Sequence, residues 1–395
     1  MKTVHGSWTP AFEWVREAFA RNLAENEVGA ACCVYLSGEC VVDVWGGLAD
    51  RDANRPWQRD TAALVFSSTK GVTAALVHLL AQRDQIELDA PVARYWPEFA
   101  ANGKQSITLR HVLTHSAGVP AVEGDLTLDD VYAWHPVCTA IAAQKPIWEP
   151  GTAHGYHART FGWILGEVIR RVTGLSAGQL LAVEAAGPLG LELWIGAPAE
   201  IEPRIATNYT APEPADPEQR ALRAKFMGPD TLLGRALEGP SGVLPYGPIW
   251  NTRALHAAEL PSSNGIASAR GLARFYAALI GDVDGHHRLL SAPIVAAATA
   301  PQVEGPDNVI LMPTRFASGF ALPPMLSLDA PDTAFGHPGA GGSLGFADPA
   351  SGIAFGYVMN QMQLGLAGDP RSERLVSAAY ASVAARNTAN GSTAR

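Results

Sequence analysis

The segment FSSTKG places Ser67 three residues ahead of Lys70, inside the longer run ALVFSSTKGVTAALVHLL. On a helix, positions i and i+3 share a face, so the nitrogen of Lys70 can reach the hydroxyl of Ser67. A serine hydroxyl is a weak nucleophile and needs a partner to take its proton. A lysine in dry surroundings loses affinity for its own proton and becomes such a partner. A helix start adds free backbone N–H groups and positive potential beside the serine. The plain alternative is a capped start of a surface helix. The apolar flanks argue against it, because an unpaired lysine within a buried stripe is costly.

Two more stretches carry chemistry. In GTAHGYHARTFGW, Tyr156 stands just before a helical pattern. A phenol can shuttle protons beside cations; the bland reading is a half-buried tyrosine with a satisfied hydroxyl. FGHPGAGGSLGFADP, from Phe335 to Pro349, is dense in glycine and runs into an apolar strand. A strand edge of this kind brings backbone N–H groups close to a substrate carbonyl; the bland reading is a turn before an edge strand. The same stretch holds Gly341-Gly342-Ser343-Leu344-Gly345, which matches G-x-S-x-G. That elbow needs a strand before the serine, a helix after it and a later histidine. Here a turn precedes Ser343, a strand–turn–strand pattern follows, and no histidine occurs beyond it. Ser343 is therefore expected to be a decoy.

The other histidines form no metal set. His111 and His115 are four apart but lack the glutamate of H-E-x-x-H, His154 and His157 have no clear third ligand, and His286-His287 sits in a charged turn. There is no P-loop and no dinucleotide fingerprint in a strand-to-helix setting. The expectation is an enzyme with no metal and no organic cofactor.

The elements that must hold these residues read as follows. Trp8 to Asn26 is amphipathic, with Phe12, Val15, Phe19 and Leu23 at helical spacing. VGAACCVYLSGECVVDVWGG is a hairpin turning at Ser37-Gly38-Glu39. Ser67 to about Gln82 is helical, and Glu87 to Phe99 is a loop with short turns. A short helix begins near Ser106 or Thr108 and ends by Gly118 and Pro120. Thr160 to Val172 is a helix stopped by Gly174, and Ser268 to Ile280 is another. Ala197 to Pro261 is rich in proline and glycine and weakly periodic, an irregular excursion suited to a lid or pocket wall. Gly341 to Asn360 is a second hairpin, Arg371 to Arg386 a last helix, and the tail NTANGSTAR a frayed end. Hairpins near both ends predict one antiparallel sheet flanked by the N- and C-terminal helices, with a mostly helical lobe between: an α+β (α/β) chain. Residues 1–85 and 255–395 are expected to form the discontinuous sheet domain, and residues 86–254 the helical lobe with its pocket-lining insertion.

The 395 residues exceed the size at which one core usually suffices. With 47% hydrophobic and 17% charged residues, the chain is an ordinary folded one. Its net charge of −9 argues against nucleic acid and anionic membrane as partners. No window is long and apolar enough to span a bilayer, and the first residues lack a signal-peptide core. Cys32, Cys33, Cys40 and Cys138 read as reduced thiols. A cytoplasmic enzyme acting on a small molecule is expected.

Four stretches occur in the order of one known superfamily: SSTK at Ser67 to Lys70, LRHVLTHSAGVP at Leu109 to Pro120, the run from Trp148 to Gly174 around Tyr156, and FGHPGAGGSLGFADP. The chain resembles the serine β-lactamase and penicillin-binding-protein-like hydrolases, in the class C branch, and most of all the family VIII carboxylesterases. The resemblance implies Ser67 as the acylated nucleophile, Lys70 as its cationic partner or base, and Tyr156 as the second proton-transfer group. It leaves open which of the latter two is the base in acylation. It implies an oxyanion hole from the backbone N–H groups of Ser67 and Ala340, with His337 and Gly339 lining the substrate site. Trp134 and Trp250 are expected to line an acyl or alcohol pocket. Two departures stand out. The Y-x-N triplet is here Tyr156-His157-Ala158, and K-T-G is His337-Pro338-Gly339. The missing lysine and hydroxyl are the groups that greet a substrate carboxylate. An esterase on short-chain or small-molecule esters is therefore expected ahead of a β-lactamase, amide hydrolase or acyltransferase, and ahead of an inert binding module.

Overall fold

The computed structural model describes residues 2–392, with side chains to Thr388. The chain starts with strand β1 (Val4–Trp8) and helix α1 (Glu13–Glu25). The hairpin of β2 (Gly29–Leu36) and β3 (Glu39–Asp50) follows, with the short β4 (Arg55–Pro56) on β3. Ser37 and Gly38 both take positive φ, +51° and +86°, as a two-residue hairpin turn requires. Beyond the middle of the chain come β5 (Phe335–Pro338), β6 (Leu344–Asp348) and β7 (Ile353–Met359). They join the first hairpin in one seven-stranded antiparallel sheet of order β1-β3-β2-β7-β6-β5.

The two hairpins meet where β7 pairs with β2, Tyr357 facing Cys32 and Met359 facing Ala30. Period-two alternation then sorts the side chains of β2 onto two cores. Ala30, Cys32 and Val34 pack with Phe12, Val15, Phe19 and Leu23 of the first helix region and with Leu375, Val376 and Ala379 near the C-terminus. Ala31, Cys33 and Tyr35 point the other way, into a larger cluster. Both faces are covered, so β2, β6 and β7 are apolar almost throughout.

Seven further helices matter for the site. Helix α2 (Thr69–Gln82) is buried from Thr69 to Leu80 and runs through the larger cluster. Helix α3 (Thr160–Thr173) ends on Gly174 at φ +74°. Helices α4 (Pro217–Met227) and α5 (Leu232–Glu238) lie in the long excursion. Helix α6 (Ala269–Ile280), capped by Ser268, covers the sheet face opposite α1. Thr108 caps the short helix Leu109–Leu113 through a hydrogen bond from the His111 amide. The last helix, α7 (Pro370–Ser392), packs against α1.

The structure corrects three local expectations. The N-terminal residues up to Trp8 form an edge strand before the helix, because β3 offers its free edge from Val42 to Gly46. The excursion is not wholly irregular: α4 and α5 interrupt it. Helix α4 buries none of its residues, which explains its weak periodicity. The final helix extends through much of the tail expected to fray, up to Ser392, and the last three residues lie outside the described ones. Among the described residues no helix is long and apolar enough to cross a membrane.

Candidate active site

Ser67 sits in a single 3₁₀ turn, Phe66–Ser68, between the short strand Ala63–Leu64 and helix α2. Phe66, just before it, is held at φ +43°, a conformation that costs energy in a bulky residue and needs support from its surroundings. Support comes from Tyr246 and Trp250, whose rings meet the Phe66 ring edge-on at 5.3 and 5.0 Å. The Gly265 amide donates to Thr69 Oγ1 at 2.8 Å and ties the helix start to the neighbouring segment.

The expected trio comes together here. Tyr156 Oη donates to Ser67 Oγ at 2.8 Å, and Lys70 Nζ lies 3.1 Å from the same oxygen. Lys70 also donates to the carbonyls of Ala158 at 2.8 Å and Ser262 at 3.0 Å. All three of its partners are uncharged. Burial, reinforced by the guanidinium of Arg159, holds the Lys70 pKa well below the usual lysine range. With two amine hydrogens committed to carbonyls, the third tetrahedral direction points at Ser67. In the neutral amine that direction is the lone pair, ready to accept the serine proton. Burial moves Tyr156 the opposite way, well above the ordinary phenol range, so it stays protonated. Its backbone N–H is fixed by the buried carboxylate of Asp307 at 3.1 Å, which also collects the amides of Val309 and Ile310.

The glycine-rich strand closes on this turn. A Cβ at Gly339 would fall 2.1 Å from Ser343 Oγ and 2.2 Å from the Val65 carbonyl, so only glycine allows this approach. Ala340 follows, with an N–H that donates to no protein group among the described residues. The same holds for the N–H of Ser67. Arg371, at the start of α7, donates to the Gly341 carbonyl at 2.6 Å and to Glu27, Asp369 and the Gln361 carbonyl. Ser343 is buried, donates to the Val65 carbonyl at 2.8 Å and lies 3.2 Å from Ser68 Oγ. It braces the turn that carries Ser67 and, among the described residues, has no base beside it.

His337 is buried next to Tyr156, ring centroids 6.0 Å apart, and burial lowers its pKa to about 3. It is a neutral ring, with Nδ1 2.7 Å from the Pro338 carbonyl and Nε2 unpartnered. The two tryptophans stand elsewhere. Trp134 donates its indole N–H to Glu167 at 2.9 Å and lines a separate cavity with His135, Gly166 and Glu259. Trp250 is buried, donates to the Pro245 carbonyl at 2.9 Å and packs behind Phe66. Neither lines the groove that meets Ala340. That groove, of about 660 Å³, runs from Ala340 and Gly341 past Tyr246 to helix α4 and the segment Met362–Leu366.

Several residues escaped the sequence. Arg159 is buried without an ion-pair partner among the described residues, stacked 4.7 Å over Trp250, with Nε donating to the Leu237 carbonyl and Nη2 unpartnered. Its only signal was a cation in the apolar run YHARTFGW. Asp307 and Arg371 gave no signal, because the groups through which they reach the site, the Tyr156 amide and the Gly341 carbonyl, lie far away in sequence.

A sequence profile described as Beta-lactamase matches residues 15–379. The chain is 37% identical over 381 residues to the Esterase/beta-lactamase LipL of Mycobacterium tuberculosis, covering 91% of this chain and 84% of that protein. It superimposes on a crystal structure of a family VIII carboxylesterase with a TM-score of 0.86 and 40% identity, over 96% of this chain and all (100%) of that one. A penicillin-binding protein homologue from Caulobacter crescentus gives 0.84 and 36%, over 96% and 100%.

Proposed function

The chain belongs to the beta-lactamase family, and from that premise we propose a serine carboxylesterase that works through an acyl-enzyme on Ser67. One observation carries the reading. Ser67 Oγ lies between a buried lysine at 3.1 Å and a buried tyrosine at 2.8 Å, and no carboxylate among the described residues neutralises the lysine.

Ser67 Oγ attacks the ester carbonyl while its proton passes to the neutral Nζ of Lys70. The tetrahedral oxyanion is received by the N–H groups of Ser67 and Ala340, whose fixed dipoles need no reorganisation. Tyr156, a neutral phenol, gives its proton to the departing alkoxide, and the Lys70 ammonium returns one to Tyr156. Alcohol leaves. Water then attacks the acyl carbon, its proton follows the same path, and the acid is released with Ser67 regenerated. Each step moves one proton between groups already in place. The opposite pKa shifts of Lys70 and Tyr156 favour lysine over phenolate as the base in the resting enzyme.

An ester is favoured over a β-lactam because the site offers little to a substrate carboxylate. His337 is held neutral, and the chain has no lysine or hydroxyl in the triplet His337-Pro338-Gly339. β-Lactam hydrolysis by the same nucleophile is the second reading, supported by the double name of the mycobacterial relative.

The test is steady-state hydrolysis of p-nitrophenyl esters set against nitrocefin, with wild type, Ser67→Ala and Ser343→Ala. Intact-mass spectrometry after a fluorophosphonate probe accompanies it. Ester turnover and a single adduct that vanish only with Ser67→Ala are expected. Loss of both in Ser343→Ala alone, or faster turnover of nitrocefin than of every ester, sinks the assignment.

A further inference from the structure

The groove beside Ala340 has a composition that the hydrolytic machinery does not explain. Its walls are Leu222, Phe226 and Met227 of α4 and Met362, Leu364 and Leu366 opposite. Leu222, Phe226 and Leu364 stand 57%, 44% and 49% exposed. Helix α4 has no fully buried residue; Met227 at its end packs against the core, while Leu222 and Phe226 face outward. Large apolar side chains left uncovered on both sides of one trough mark a surface that meets an apolar partner. The polar residues Arg223 and Glu213 also line the groove, joined to each other by a 3.3 Å ion pair. Its volume of about 660 Å³ matches pockets that take drug-sized groups. An acetyl group would leave it nearly empty.

We propose that this groove binds the extended apolar acyl chain of the ester, so that the preferred substrates are medium-chain esters rather than acetates. The inference rests on the esterase reading and sharpens the short-chain expectation drawn from the resemblance. The groove reaches the site at Ala340 and Tyr246, next to the oxyanion donor, and so lies where a substituent of the bound carbonyl leaves the reacting centre. A methylene fully withdrawn from water is worth about 4-fold in kcat/KM. Because the trough is half open, a rise of roughly 2- to 4-fold per methylene follows, until the chain outgrows the walls.

The experiment measures kcat/KM for p-nitrophenyl acetate, butyrate, hexanoate and octanoate, each below its critical micelle concentration. Wild type, Leu222→Ser, Phe226→Ser and the control Leu328→Ser are compared. Leu328 is 72% exposed and lies outside the groove. The side chains changed on α4 are solvent-exposed, so the variants keep the fold, and a thermal melt verifies it. The expected result is an octanoate-to-acetate ratio of at least ~10 in wild type and in Leu328→Ser, cut several-fold in both α4 variants. A ratio at or below one overturns the proposal, as does a high ratio untouched by either α4 variant. Absence of turnover with every ester, together with no fluorophosphonate adduct on Ser67, defeats the esterase reading itself. Esters cleaved through Ser67 without chain-length preference defeat only this inference.

Discussion

In the proposed mechanism Lys70 is the base, and its nearest substitute tests that role. Arginine keeps a positive charge but cannot become neutral in a protein. Lys70→Arg is expected to lose ester hydrolysis by a factor of about 10³ or more, the scale seen when one member of a catalytic unit is removed. Fluorophosphonate labelling rates check it. The pH profile follows from the two opposed shifts. The Lys70 pKa lies well below the ordinary lysine range, so kcat/KM rises with pH through that depressed value and is already on its plateau far below pH 10.5. Tyr156 stays protonated above its ordinary range, so no alkaline fall arises from it near pH 10. A profile that rises only near pH 10.5 would contradict the depressed pKa of Lys70. At this scale the sequence was most readable where partners are neighbours: Ser67 and Lys70 share a helix face. Arg159, Asp307 and Arg371 were invisible, since their partners Leu237, Tyr156 and Gly341 come from separate segments. Trp134 and Trp250 stand away from the groove at Ala340, because what an indole packs against is decided by tertiary contacts.

The elements act as clamps on the turn that carries Ser67, the proposed nucleophile. Strand β5 and the loop after it press so closely on Val65 that Gly339→Ala must push the turn or the strand aside. Overpacking of this kind costs about 1–3 kcal/mol, and a displaced oxyanion donor costs about 10²-fold in kcat. A melting curve and kcat measured together read both effects; unchanged kcat would show that Gly339 does not set this approach. From the far side, Arg371 spends all five of its N–H groups on Asp369, Glu27, Gln361 and Gly341. Lysine has too few donors to replace it. Arg371→Lys is expected to lower kcat by at least ~10-fold with a smaller change in KM, and to weaken a boronic acid that mimics the oxyanion by a similar factor. Equal affinity for the boronic acid in both proteins would assign Arg371 to stability alone. Capped helices were legible because caps are local: Thr108, Ser268 and Gly174 announced their elements. Strand β1 was not, since Val4–Trp8 pairs only because β3 leaves an edge free.

For the whole molecule, the buried histidines set the response to acid. Burial holds His78 and His157 at about 4 and His337 at about 3, and His115 well below its ordinary value. Below pH ~6.5 the unfolded chain takes up protons that the folded one refuses. Stability therefore falls as pH drops from ~6.5 towards 4, each ring contributing a loss of up to ~1.4 kcal/mol per pH unit. Glu27, raised to about 7 by burial despite Arg371, acts in the opposite sense, as do Glu238, Glu259 and Glu373, which burial also raises, while His111, lowered by burial, adds to the loss. Glu167 extends the loss further: burial raises its pKa, but hydrogen bonds from Arg170, Arg171 and Trp134 outweigh that and hold it at about 2, so its contribution fades as pH falls from 4.5 towards 2. Melting temperatures at fixed ionic strength should fall steadily below pH 6.5; a flat profile down to pH 4.5 would contradict the buried neutral rings. The sheet had been legible as two hairpins at opposite ends of the chain. Their union through β2 and β7 has a consequence for how the protein is made. Ser67 and Lys70 are synthesised well before the segment that carries Ala340 and the bracing Ser343, and before Arg371. A chain interrupted before that segment holds the proposed nucleophile without the proposed oxyanion donor. The proposed site is therefore complete only once the second hairpin has docked on the first.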